Sequence, residues 1–214
     1  MENISISTTE SIRFGWRKFK EKGLFFIGIA VFVAILSSIQ QLPQIFDNNI
    51  SPSVSGVYFS LLTTFIGIVI STYLSLGVWK IMIMHSRGEE IDFSDLLNIS
   101  FRNFIHYILA YILTAIATII GFICFIVPGI HIALRLLFVP AFIVDKDQSF
   151  EEALKSSWAI TKGSTLKLFV WILLAMLIVI IGFLSLIAGV FVAMPVVSLA
   201  LAFIYLKLSD EELA

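Results

Sequence analysis

Charged residues are scarce in this sequence of 214 residues: only 14% are Asp, Glu, Lys or Arg, against about 25% in a typical soluble domain. Hydrophobic residues make up 59% of the chain, and the mean hydropathy is +1.01. This composition excludes an ordinary soluble domain and predicts that lipid surrounds most of the chain. The net charge of -1 and the lack of a long basic tract exclude a nucleic-acid partner.

Cysteine is nearly absent, since Cys124 is the single one, which excludes an intramolecular disulfide and a cysteine-based zinc site. His85 and His106 flank a polar connection, but the sequence contains no metalloprotease motif, nucleophile elbow, P-loop, dinucleotide fingerprint or cluster of metal ligands. We therefore expect a protein that is not an enzyme and that has no cofactor or metal.

Long uncharged runs are what the sequence does have, and each helix needs about 20 apolar residues to cross the hydrocarbon core of a membrane. The runs predict six spans, over residues 23–42, 57–79, 105–127, 129–145, 166–185 and 189–207. Pro128 and Gly129 are expected to form the turn between the third and fourth spans, and Ser185 to Gly189 the reversal between the last two. The polar segment before residue 23 does not resemble a secretory signal, so the first span is expected to remain in the mature protein.

The basic residues predict the orientation of these spans. All but one of the 14 Lys and Arg residues fall in the two termini and in the second-to-third and fourth-to-fifth connections, and the opposite loops have none. Because basic residues near span ends stay in the cytoplasm, we expect a multi-pass protein of the cell membrane with both termini cytoplasmic.

Three cytoplasmic stretches share a pattern of acidic, aliphatic, polar, small and aromatic residues: Glu10–Trp16, Asp95–Phe101 and Glu152–Trp158. The pattern predicts an internal repeat with units 7–84, 92–145 and 149–207. The alternative is convergence, because any helix that enters a membrane from the cytoplasm favours a cap, an acid and an aromatic residue.

Each of these stretches begins with a helix-capping residue, namely Ser7, Asp92 or Ser149, three positions before its acid. Apolar residues then recur at helical spacing, which is typical of a helix that lies in the membrane interface. The expected interfacial anchors are Trp16, Phe101 and Trp158. The predicted fold is thus an all-α integral membrane protein, with six transmembrane helices in three hairpins, each preceded by a cytoplasmic amphipathic interfacial helix.

Away from the span ends, Arg135 is the one formal charge in a predicted span, and such a residue costs about 2.5 to 3.5 kcal/mol at the centre of a helix. His131 lies four residues earlier on the same helix face, so the two form a candidate polar site for an anion or a lipid headgroup. The alternative is structural: Arg135 extends to the membrane surface or binds backbone carbonyl groups. No Asp or Glu lies inside a predicted span except Asp145 at the very end of the fourth, which weakens a proton-coupled transport mechanism.

The second span carries a stripe of small and polar residues on one helix face, formed by Ser60, Thr64, Gly67, Ser71 and Ser75. Such stripes allow close helix packing, and the alternative is a polar pathway. Pro140 and Pro195 fall within the fourth and sixth spans, where they are expected to kink the helices.

Short motifs across most of the chain resemble a known family. They are Pro128-Gly129 with Arg135, Pro140 and Asp145; Glu152-Ala153-Leu154 with Ser157-Trp158 and Lys162-Gly163; and Gly182, Gly189, Pro195 and Tyr205. With these the chain resembles bacterial integral membrane proteins of unknown function, related to the membrane domain of some glycerophosphodiester phosphodiesterases. The resemblance implies six spans and a bacterial cytoplasmic membrane, but no phosphodiesterase activity, because the spans leave no room for the catalytic barrel.

These observations predict a non-enzymatic polytopic membrane protein that organises or binds lipids or partner proteins at the cytoplasmic leaflet. Its expected partners are the lipid bilayer and a membrane or cytoplasmic protein. The alternative is a small transporter or channel with an anion or headgroup site near Arg135.

Overall fold

A computed structural model describes residues 7–39, 54–185 and 189–211 of the chain, and these residues form ten helices and no strand. The helices are α1 (Thr8–Glu21), α2 (Gly23–Ile39), α3 (Val54–Arg87), α4 (Phe93–Leu97), α5 (Phe101–Cys124), α6 (Ile126–Arg135), α7 (Val139–Lys146), α8 (Phe150–Ile160), α9 (Thr165–Leu184) and α10 (Val190–Glu211).

Five segments among the described residues are long and apolar enough to cross a membrane. They are Val57–Arg87, Phe101–Cys124, Ile126–Lys146, Thr165–Leu184 and Val190–Ser209. The chain is therefore all-helical with several candidate spans. Helix α2 is apolar but has 17 residues, and the last three residues of the predicted first span lie outside the described residues, as does most of the loop that follows it. The sixth span thus stays a prediction.

The turn between α5 and α6 is placed differently from the sequence-based expectation. Phe125 alone joins the two helices in an extended conformation (φ -168°), and its N–H donates to the Gly121 carbonyl at 3.0 Å. Pro128 and Gly129 lie in the first turn of α6. Proline is tolerated there because the first N–H groups of a helix have no intrahelical acceptor. A Cβ on Gly121 would lie 2.9 Å from the Gly129 Cα, so the glycines serve close helix contact and not the turn.

The fourth predicted span is broken. Residues 136–138 form turns between α6 and α7, so the helix is interrupted before Pro140, which occupies the first turn of α7. The sequence analysis expected a kink at this proline within one span. Pro195, in contrast, lies inside the continuous helix α10.

Helix α1 packs along α10 through a face that the sequence pattern did not single out. Its buried residues are Ser11, Gly15 and Phe19. A Cβ on Gly15 would overlap the carbonyl oxygen of Val196 in α10, so only glycine permits this approach. Trp16 lies off this face and is 45% exposed.

The predicted helix caps are present, although they differ in detail. Ser7 accepts from the Glu10 N–H at 3.3 Å, but the Glu10 carboxylate pairs with Lys207 and not with the cap. Helix α8 begins with a complete capping box between Ser149 and Glu152. These hydrogen bonds lower the pKa of the Glu152 carboxyl, because they stabilise its ionised form.

The second of the three related stretches departs most from the others. Helix α4 has only five residues, and Asn98 to Ser100 are not helical. Phe101 therefore begins the long helix α5, whereas Trp16 and Trp158 lie inside the shorter helices α1 and α8.

Buried side chains concentrate at one end of the bundle. Helices α3, α7 and α10 end there and α5 begins there, and the helices α1, α4 and α8 also lie at this end. We call it the basic end, because Lys and Arg residues of α1, α3, α7 and α10 lie there. Fully buried residues include Leu76, Ile81, Phe138, Ile143, Leu199 and Tyr205. Towards the opposite end, the helices expose apolar side chains such as Phe65, Ile119 and Leu184.

Candidate functional site

The break between α6 and α7 is held by side chains of α8. Ser157 is fully buried; its hydroxyl donates to the Arg135 carbonyl at 2.8 Å and accepts from the Phe138 N–H at 3.2 Å. Thr161 adds a longer bond to the same carbonyl at 3.3 Å. Two backbone groups released by the break thus regain partners from a neighbouring helix.

Arg135 lies directly before this break and is 7% exposed. Its guanidinium carbon stands 4.5 Å from the centroid of the Trp158 ring, a cation–π contact. Its Nε is buried without a hydrogen-bond partner, and no carboxylate among the described residues forms an ion pair with it. The side chain packs against Trp158 of α8, and both the polar site and the structural alternative for Arg135 stay predictions.

His131 contacts the same tryptophan. Its ring is edge-on to that of Trp158, with centroids 6.2 Å apart. His131 is exposed and lines an open groove of about 460 Å³ between α6 and α9. The other lining residues are Val127, Ile130, Leu134, Thr165, Leu166 and Phe169. The groove is lined mainly by apolar side chains, with His131 as its ionisable residue.

A second polar cluster lies at the basic end and was missed by the sequence analysis. Both carboxylate oxygens of Asp145 accept from Arg87, with Nη2 to Oδ2 at 2.8 Å, and the Tyr205 hydroxyl donates to Oδ2 at 2.9 Å. The Asp145 side chain is 3% exposed and that of Arg87 is 39% exposed. The cluster joins the ends of α3 and α7 to α10.

Three hydrogen bonds join separate segments of the chain at the basic end. The His85 ring bonds to the Lys18 carbonyl at 3.0 Å, Lys22 donates to the Ile91 carbonyl at 3.2 Å, and Lys80 donates to the Asn98 carbonyl at 2.8 Å. The connections at the basic end are therefore fixed to the spans and are not free loops.

The three expected anchors all have exposed rings. Phe101 is 76% exposed and Trp158 is 41% exposed. The Lys20 ammonium lies 5.2 Å from the Trp16 ring, so Trp16 and Trp158 each have a cation at one ring face. No contact joins the three anchors to each other among the described residues, and they form separate points on the surface.

The small-residue stripe of α3 is partly exposed and partly buried. Thr64 and Ser71 are exposed and Gly67 is buried, while Ser75 lies 3.4 Å from the Tyr107 hydroxyl. The closest backbone approach of α3 occurs instead at Gly77, where a Cβ would overlap the Leu96 carbonyl of α4. Ser60 is half-buried. Whether the stripe packs against another helix stays a prediction.

The described residues contain no group of three or more His, Cys, Asp or Glu placed to hold a metal ion.

Comparison with known proteins gave one match. Residues 106–209 match the family described as the membrane domain of glycerophosphoryl diester phosphodiesterase, in agreement with the resemblance found in the sequence. The match covers just under half of the chain and includes the helix break, Arg135, Asp145 and Tyr205. No curated protein and no solved structure matched the chain. The matched family and the apolar helices together identify a multi-pass membrane protein.

Proposed function

We propose that this chain is a non-enzymatic membrane protein that organises lipids from the leaflet at its basic end. In this proposal it crosses the bilayer six times, with α2 as the first span and both termini in the cytoplasm, because basic residues are retained there. The family match concerns a membrane domain and not a catalytic one, which agrees with the absence of catalytic motifs from the sequence.

The observation that carries the proposal is the pairing of exposed aromatic rings with cations. The exposed Lys20 stands over the Trp16 ring, and the exposed Arg102 directly follows Phe101, while the buried Arg135 contacts the Trp158 ring. Aromatic rings favour the headgroup level of a bilayer, and basic side chains beside them attract anionic lipids. The opposite ends of the helices expose apolar side chains to acyl chains.

Combined replacement of Trp16, Phe101 and Trp158 by Ala tests the proposal. We expect the variant to retain fewer lipid molecules than the wild type in native mass spectrometry after purification in mild detergent. A matched control replaces Phe65, Ile119 and Leu184, which are 66%, 58% and 77% exposed but lie away from the basic end. Equal lipid retention by the anchor variant and the wild type would refute the proposal.

A second function has its own supporting observation, namely the broken span beside a buried, unpaired Arg135 Nε. Interrupted helices with a buried charge are typical of transport sites. Under this alternative, the chain conducts small anions or headgroup-like solutes, and Arg135→Gln abolishes their flux into proteoliposomes. Absence of flux from the wild type across a broad panel of anions would eliminate it.

A further inference from the structure

A cavity of about 320 Å³ opens at the basic end between α7, α8 and the end of α10. Residues that line it include Phe142, Lys146, Gln148, Lys155, Ser156 and Ile160. Its volume is within the range of about 300 to 1,000 Å³ that is common for ligand pockets. It combines two ammonium groups and polar side chains with an apolar wall.

The acidic residues around the cavity are already engaged elsewhere. Asp145 is held in the cluster described above, Asp147 accepts from Asn103 Nδ2 at 2.6 Å, and Glu152 accepts from the cap of α8 at 2.8 and 3.0 Å. Each of these carboxylates has other hydrogen-bond partners, and none forms an ion pair with Lys146 or Lys155.

The lysines themselves form no ion pair among the described residues. Glu151 precedes Lys155 by one helical turn without pairing with it. Lys146 contacts the Phe142 ring, with its ammonium 5.8 Å from the centroid. Two cations that share one cavity repel each other unless an anion lies between them, so the cavity is suited to an anion.

Gln148 is a third polar residue of the cavity, and it indicates which chemical class of anion fits. The Oε1 atom of Gln148 is buried and has no hydrogen-bond partner. The residue before it, Asp147, has φ of 50°, a left-handed conformation that the Asn103 bond stabilises and that fixes where Gln148 emerges. A buried acceptor without a donor is unfavourable, and rotation of the Gln148 amide towards the cavity that this residue lines would let a ligand hydroxyl donate to it.

We propose that this cavity binds a phosphate ester that also carries a free hydroxyl group, such as the headgroup of phosphatidylglycerol. Lys146 and Lys155 bind the phosphate oxygens through charge-assisted hydrogen bonds, and Gln148 accepts from the headgroup hydroxyl. An ammonium headgroup fits less well, because it would add a third positive charge beside the lysines. The inference rests on the proposed function and names the lipid class that it serves.

Two charge-matched variants test it in nanodiscs of phosphatidylglycerol and phosphatidylcholine at one to three. Lys146→Gln/Lys155→Gln removes the cavity cations, and Arg13→Gln/Lys162→Gln removes two exposed cations that do not line the cavity. We expect the first variant to retain phosphatidylglycerol about tenfold more weakly than the wild type, as measured by native mass spectrometry. The control is expected to change retention less than twofold. Equal losses in both variants, or no loss in the first, would overturn the proposal.

A further variant tests the hydroxyl contact. Gln148→Leu is expected to reduce the preference for phosphatidylglycerol over phosphatidic acid, whose headgroup has no alcohol hydroxyl, by about fivefold. An unchanged preference would overturn the assignment of Gln148.

Competition with soluble glycerol 3-phosphate distinguishes the two sources of this chemistry. Displacement of the lipid by millimolar glycerol 3-phosphate indicates a site for a free phosphate ester, and lack of displacement indicates a lipid site. In either case, the Lys146→Gln/Lys155→Gln variant must bind more weakly than the wild type. If the lysine variants behave alike while the aromatic anchor variant loses lipid, the cavity assignment fails and the proposed function stands.

Discussion

The carboxylate of Asp145 accepts hydrogen bonds from two other helices. Removal of one donor tests how much this cluster contributes to the free energy of unfolding. Breaking a buried ion pair costs about 3 to 5 kcal/mol, because it leaves a buried charge without its partner. The Arg87 side chain is 39% exposed, so water screens part of the interaction, and Tyr205 remains as a donor. We therefore expect Arg87→Ala to lower the free energy of unfolding by about 2 to 3 kcal/mol.

The complementary variants separate the charge from the rest of the side chain. Asp145→Asn removes the charge but keeps an acceptor for Tyr205, and Arg87 can then become hydrated, so we expect a loss of about 1 to 2 kcal/mol. In the double variant Arg87→Ala/Asp145→Asn, no buried charge is left unpaired. The loss should therefore fall short of the sum of the single losses by about 1 kcal/mol or more.

Reversible unfolding in mixed micelles, monitored by tryptophan fluorescence, measures these differences. Lys18→Gln is the control, since Lys18 pairs with the exposed Glu21 at 3.0 Å and such surface pairs contribute less than about 1 kcal/mol. Strict additivity of the two single variants, or an Arg87→Ala effect no larger than that of Lys18→Gln, would refute the reasoning.

Three further predictions concern the packing and capping of the helices. Ser157→Ala leaves the buried backbone groups at the helix break short of partners, and it is expected to cost about 1 to 3 kcal/mol in the same unfolding assay; no change would contradict this role. Gly15→Ala should loosen α1 from α10 and raise protease cleavage of α1, whereas Gly28→Ala, which meets nothing within 4 Å, should leave the cleavage rate unchanged. Because the folded-state pKa of Glu152 is lowered, its stabilisation of α8 is complete above the unfolded pKa and is lost as the pH falls through the folded pKa. Glu152→Gln should therefore flatten the acid limb of stability against pH, and an unaltered limb would refute the assignment.

Local features were predictable from the sequence, because their causes lie within a few residues. Long uncharged runs located the candidate spans after residue 57, and Ser149 with Glu152 located the start of α8. The turn at Phe125 could not be placed, since Pro128 and Gly129 are equally compatible with a turn and with the first turn of a closely packed helix.

The site residues depend on contacts that are distant along the chain. The break after Arg135 is held by Ser157 and Thr161, 22 and 26 residues later, and no local pattern marks it. Asp145 and Arg87 are 58 residues apart, and both lie at span ends, where charged residues are ordinary. The position of Arg135 within an apolar run therefore marked it as a candidate, whereas no feature of the sequence marked the cluster around Asp145.

Native mass spectrometry of the wild-type chain, purified from membranes of known lipid composition, tests the central claim of lipid organisation most directly. The account predicts that anionic phospholipids are enriched among the bound lipids relative to their share of the membrane. Bound lipids in the proportions of the bulk membrane, or a chain that retains none, would contradict it.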